Sequence, residues 1–492
     1  MICRKLWLGA LAVLALCEAA RAAAPTPEQL LPATTTEFVV LSDLRRLEQT
    51  WGQSQFGRLL ADPVLKPFLD EVYPTTKGAN YLFDTIGVSW DTVRNAAGGD
   101  LGWGLVLVDG KEVAHVLTLD MAGRREGGNA YFNEIGKCLQ KQGARFGQRT
   151  YEGMSLVVAE LPNGKYILYG HKDDVIVTTD HFGVLGGILA RWNNTANDSL
   201  ANQQAYQKVR ARCQTLPGES ALIRWYYEPV ARVEAQMLFS PELKKVKGDN
   251  VAQVLRKEGV DGIKGVGGTL AFVSNGTDIL ARAAAFAPPP FRGAMRMAKL
   301  SNETLASPEA WVPPDVSAWA TASIDLPNAL DSFETLFERL ADEGPGTFQE
   351  ILKSLKEDKD GPQVDLRHDI FEQMINRVTL INDATLPAQE KSERFLVGLT
   401  IKDGRAEKTV ADALRKCVES DKRIRARDFE GVRIWEYRPR PSTGKASRTT
   451  QPPVVMPSLA LAVARQAGIR YNHTDSMPQS VYRFVPKKAA VG

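Results

Sequence analysis

The chain has 492 residues, and its 44% hydrophobic and 24% charged content is that of a folded globular protein, which excludes a mainly disordered or fibrous chain. Lysine and arginine number 61 against 58 acidic residues, a net of +3, which excludes a chain-wide polybasic binder of nucleic acid. The charge is uneven. Residues 1–22 carry +2, residues 23–437 carry −7 and residues 438–492 carry +8.

Arg4 and Lys5 precede the apolar run Leu6–Leu16, and Ala20-Arg21-Ala22 follows. A charged start, a short apolar stretch and a small-x-small site make a secretory signal peptide over residues 1–22, cut ahead of Ala23. A lipoprotein signal at Cys17 is the alternative, but Leu16 stands where a small residue is needed. The run is too short to span a bilayer, which takes ~20 residues. The expected location is therefore extracytoplasmic: periplasm, cell envelope or medium. Cys3 and Cys17 leave with the signal, and Cys138, Cys213 and Cys417 are too few for a disulfide framework. They read as small buried hydrophobes, with one disulfide among them as the alternative.

Thr36–Leu41 reads as a strand, and Asp43 as the cap of a helix carrying Leu44, Leu47 and Trp51. Short helices follow near 54–60 and 63–73, broken by Pro63 and Pro74. Gly102–Val108 and Val113–Leu119 flank Asp109-Gly110, a strong hairpin signal. A helix near 129–142 carries Tyr131, Ile135, Cys138 and Leu139 on one face. Met154–Leu161, Lys165–Gly170 and Asp174–Thr179 read as a meander, with turns at Asn163-Gly164 and His171–Asp173. Asp180 is expected to cap a helix to Trp192. Ala221–Tyr227, Thr269–Ser274 and Ile279–Phe286 supply further strands, with helices near 228–238 and 249–258.

The chain repeats itself. Leu31 to Val40, followed by Asp43-Leu44, matches Val312 to Thr321, followed by Asp325-Leu326. His115–Leu119 matches Val397–Ile401, Lys137-Cys138-Leu139 matches Lys416-Cys417-Val418, and Tyr151–Met154 matches Phe429–Val432. The matches keep chain order at offsets between 278 and 282 residues, the mark of a tandem duplication. The expected organisation is a first unit at 28–290, a connector at 291–311, a second, incomplete unit at 312–437 and a basic, proline-rich, irregular tail at 438–492. The expected fold class is α+β, each unit a mainly antiparallel sheet covered by helices on one face.

Motifs with chemistry are weak. His171-Lys172-Asp173-Asp174 and Asp180-His181 form the densest cluster, but one strand separates its ends by roughly 20–30 Å, too far for one metal. Lys356–Gly361 resembles a calcium loop at Asp358, Asp360 and Gly361, yet Lys356 and Arg367 stand where carboxylates are required. Gly262–Thr269 is glycine-rich but leads into a strand, so no helix N-terminus follows to receive a phosphate. Gly218-Glu219-Ser220 lacks the second glycine of a nucleophile elbow. Trp225-Tyr226-Tyr227 is either a stacking surface or a strand packed on both faces. No catalytic, cofactor-binding or metal-binding residue is assigned.

Leu30–Trp51 (LLPATTTEFVVLSDLRRLEQTW), Phe56–Phe68 (FGRLLADPVLKPF), Gly262–Phe272 (GIKGVGGTLAF) and Gly361–Arg367 (GPQVDLR) resemble a family of bacterial exported proteins of the planctomycete type with a domain of unknown function. The likeness covers roughly 28–437. It implies a signal peptide, an α+β body and an envelope or secreted location, and it transfers no catalytic residues.

The leading expectation is a non-enzymatic, exported cell-envelope protein with a structural or binding role. Alternatives are a hydrolase of polysaccharide or peptide, using carboxylates from separate strands, and a carrier of a hydrophobic ligand. No cofactor or nucleic-acid partner is expected. The tail reads as a truncated or frameshifted remnant in preference to a tether that contacts an anionic envelope polymer or membrane surface.

Overall fold

In the computed structural model the described residues are 24–67, 81–217, 219–239, 250–272, 278–300, 307–340, 344–385, 387, 392–419, 424–437 and 481–483. The signal at 1–22, most of the helix expected at 63–73 and nearly all of the tail lie outside them. Two compact units divide the chain, with the main boundary between Pro288 and Pro289. The second unit also takes residues 253–262 from within the span expected for the first.

Ten strands make the sheet of the first unit: β1 (Thr35–Leu41), β2 (Leu101–Val108), β3 (Glu112–Asp120), β4 (Arg145–Tyr151), β5 (Met154–Glu160), β6 (Tyr166–Lys172), β7 (Val175–Thr179), β8 (Ser220–Tyr227), β9 (Gly265–Phe272) and β10 (Ile279–Phe286). Their order is β10-β9-β8-β1-β2-β3-β7-β6-β5-β4, and every pair is antiparallel. Tight turns set much of this order. Asp109-Gly110 joins β2 to β3 with φ of 50° and 67°, and Glu152-Gly153 joins β4 to β5 with φ of 49° and 79°. Two positive φ angles make the turn whose twist matches the strands it joins.

The α+β class holds, with one correction. Helices cover both faces of this sheet, not one. Ala114 and Val116 of β3 join a core with Phe38, Val40, Leu168, Val177 and the helix Phe182–Trp192. Leu117 and Leu119 join a second core with Leu44, Leu82, Val93, Ile167, Ile176 and the helix Arg125–Lys141. Alternation sends successive side chains to opposite faces, so a strand apolar at both parities needs two covers. Arg125–Lys141 supplies one through Tyr131, Ile135 and Leu139, spaced four apart and fully buried, each contributing ~1.5–3 kcal/mol.

The second unit repeats this order of elements. β11 (Ala318–Ala322) is followed by the helix Leu326–Leu340, then β12 (Met374–Ala384) and β13 (Glu393–Ile401), the helix Gly404–Glu419, and β14 (Ile424–Phe429) with β15 (Val432–Tyr437). β11 pairs β12 and β12 pairs β13, as β1 pairs β2 and β2 pairs β3. Glu430-Gly431 turns β14 into β15 with φ of 49° and 78°, nearly the angles at Glu152-Gly153. The difference lies in closure. The sheet is split into β11-β12-β13 and β14-β15-β16, where β16 is Val481–Arg483. Among the described residues no strand stands beside β13 as β7 stands beside β3. Its helices form their own core of Phe337, Phe348, Ile351, Leu355 and Val410, reaching the strands at Met374 and Ile401. The expected connector packs into this unit: Arg377 meets Glu309 at 2.7 Å, and a Cβ on Gly398 would lie 2.6 Å from the Trp311 ring.

Candidate binding surface

The histidine cluster separates as its spacing requires. His171 is not in a turn, as expected, but in β6, paired with Ile176, because the turn tightens to Asp173-Asp174. Asp180 does not cap the following helix. His181 does, its Nδ1 accepting from the Val184 N–H at 3.2 Å, which leaves Nε2 to donate to Glu112 Oε2 at 3.2 Å. Asp180 turns back to β3 instead. Its Oδ1 accepts the His115 N–H at 2.8 Å and its Oδ2 lies 2.9 Å from His115 Nδ1. β7 ends with Thr179 beside Val116, so Asp180 takes over the next rung of the ladder with its side chain. Both partners are largely buried. The pair ties a strand end to a helix start, and sequence spacing of 65 residues gave no sign of it.

Two carboxylates do approach one another. Glu28 Oε1 lies 3.4 Å and Asp100 Oδ2 lies 3.8 Å from the same Arg224 Nη2, and Arg224 Nη1 donates to Ser42 Oγ at 2.9 Å. Burial pushes the Asp100 carboxyl above its ordinary value, with Arg224 pulling it back. Glu28 is only 2% exposed, so this set closes the gap between the helix Pro27–Leu30 and the sheet and offers no open acid–base pair. Among the described residues, no group of three His, Cys, Asp or Glu side chains is placed to hold a metal ion.

The remaining motifs are structural. Asp358 Oδ1 accepts the Asp360 N–H at 3.0 Å, a local turn. Gly265 to Gly268 lie in β9, which starts earlier than expected, where added Cβ atoms would strike Tyr226, Trp225 or the Arg282 carbonyl. Tyr226 is buried, while Trp225 and Tyr227 stack with centroids 5.8 Å apart on the other face and Arg232 lies over Tyr227. Cys138, Cys213 and Cys417 are free thiols. Cys138 donates to the Gly87 carbonyl and Cys417 packs against the helical core of its unit.

The sheet β11-β12-β13 presents the apolar surface. Ala318, Ala320 and Ala322, then Leu380, then Phe395, Val397 and Leu399 line one face by register. Phe395 is 49% exposed, Val397 41%, and Leu380 and Leu399 near 38%. Residues 115–119 of β3, the matching segment, are buried throughout. A second opening lies between the helix Gly404–Glu419 and the hairpin β14–β15, a groove of about 530 Å³ lined by Ala411, Asp412, Arg415, Ala426, Arg433 and Trp435. Ala411 stands at the repeat position of Phe132, which in the first unit stacks on Tyr169 at 5.9 Å. No family model, curated protein or solved structure matches the chain.

Proposed function

We propose that this is an exported protein of the bacterial cell envelope with a binding or structural role, and that the sheet β11-β12-β13 is its contact surface. The observation that carries the reading is the exposed apolar face running from Ala320 across Leu380 to Val397. Contiguous apolar surface on a folded protein marks contact with another molecule. The charged start and apolar run of residues 4–16 support export.

Two measurements test it. N-terminal sequencing of the protein from a fractionated cell should give Ala23 outside the cytoplasm, and an intact Met1 in the cytosol would overturn export. Cosedimentation with purified envelopes should weaken about tenfold when Phe395 and Leu399 are both changed to Ser, since roughly 1.4 kcal/mol of lost apolar contact is a tenfold change. Unchanged cosedimentation would remove this face from the reading.

A further inference from the structure

We propose that β13 pairs with β13 of a second copy of this chain, antiparallel and centred on Val397. The inference goes beyond the reading above, since it concerns the outer edge of β13 and not the apolar face of the sheet.

β13 is an edge strand in the described sheet, outermost in the order β11-β12-β13. It is nine residues long, and Phe395–Ile401 within it (FLVGLTI) has no charge and no proline. Natural edges are blunted by charge, shortness or proline, because a flat apolar edge recruits another strand. Two other edges follow that rule. β4 carries Arg145, Gln148 and Arg149, and β11 has only five residues. The edge of β13 has no such guard. The first unit shows what such an edge accepts: its equivalent, β3, takes the antiparallel strand β7 there.

A second copy supplies a strand that fits. Two identical antiparallel strands related by a two-fold axis must have a residue opposite itself, because side chains facing each other must share a face. Centred on Val397, all nine residues of β13 are paired. Phe395 then meets Leu399 of the second copy, Leu396 meets Gly398, and Val397 meets Val397. Centred one residue further, on Gly398, Glu393 would oppose Asp403 and Arg394 would oppose Lys402, two like-charge clashes repeated by symmetry. The charges at the strand ends therefore select the Val397 register over its neighbour. The result is a continuous six-stranded sheet across the axis.

The self-opposed residue makes the test specific. Val397 is 41% exposed, so Val397→Lys and Val397→Glu leave the fold in place, which circular dichroism checks. Sedimentation velocity of the wild-type chain without its signal should show a dimer. Each variant alone sets like charges against each other and should be monomeric, and an equal mixture of the two should regain the dimer. A monomeric wild type overturns the proposal, whether or not amide exchange finds β13 covered by another part of the chain. A dimer indifferent to both substitutions overturns it as well. Envelope cosedimentation of the monomeric variants is scored apart: retained binding with no wild-type dimer sinks the pairing and keeps the envelope reading, whereas a dimer without envelope binding does the reverse.

Discussion

Changing Asp180 to Ala tests how the first unit closes. Asp180 accepts the His115 amide at 2.8 Å and faces the His115 ring at 2.9 Å, with the imidazole 5% and the carboxylate 11% exposed. Each hydrogen bond to a charged acceptor contributes ~1.5–3 kcal/mol, and the substitution leaves a buried amide and a buried ring nitrogen without that partner. The expected loss is about 3–5 kcal/mol. With a urea m-value of ~3 kcal/mol/M for a body this size, the midpoint should fall by about 1–1.7 M. Asp180→Asn keeps one acceptor and should lose about half as much. Glu112→Ala removes the carboxylate from His181, but Glu112 is 69% exposed, so the change should stay within about 0.5 kcal/mol. Tryptophan fluorescence against urea reads all three. If Asp180→Ala shifts the midpoint no more than Glu112→Ala does, the side chain is not holding the end of β3 and the reasoning fails.

Two further substitutions bear on charge and on the groove. Asp100 titrates above the ordinary 3.8 because burial penalises its charge, Arg224 only partly offsetting this. The folded state then binds more protons than the unfolded chain just above that value, so Asp100 contributes stability that is lost as pH rises through its folded pKa. The urea midpoint of wild type minus that of Asp100→Asn should fall from about pH 4 to pH 6, and a difference that rises over this range would reverse the assignment. Ala411→Phe should place a ring in the groove beside Trp435, raising the stability of the second unit by about 0.5–2 kcal/mol in calorimetry. A loss of more than about 1 kcal/mol would mean that the groove does not accept the ring.

Local signals carried much of the fold. Asp109-Gly110 announces a hairpin because few residue pairs accept two positive φ angles, whereas Glu152-Gly153 and Glu430-Gly431, which turn the same way, were legible only as a repeat match. The Tyr131, Ile135, Leu139 spacing announces a helix because one turn returns them to one face. Coverage of both sheet faces was harder to read, since the helices that complete it include the short segments Tyr81–Ile86 and Trp90–Ala96, too brief for a periodicity to emerge. The glycine-rich start of β9 hid a strand, because Gly267 and Gly268 are set by the approach of neighbouring backbone and Trp225 rather than by strand propensity. The pair His115–Asp180 and the exposed face around Val397 depend on which strands become neighbours. That is a property of the folded sheet, and β13 reads in sequence as a core strand like β3.

The position of β1 has a consequence for how the protein is made. It lies between β2 and β8, with Leu41 beside Leu101 on one side and Ile223 on the other. At ~5–20 residues per second, synthesis needs roughly 10–40 s to deliver the second of these partners. Until then one edge of an apolar strand near the start of the chain stays unsatisfied. The first unit is thus a slow folder by topology, since its central ladder joins segments about 180 residues apart. Should the proposed export hold, late pairing of β1 with β8 would keep the chain open at this seam, the form that a secretion channel requires.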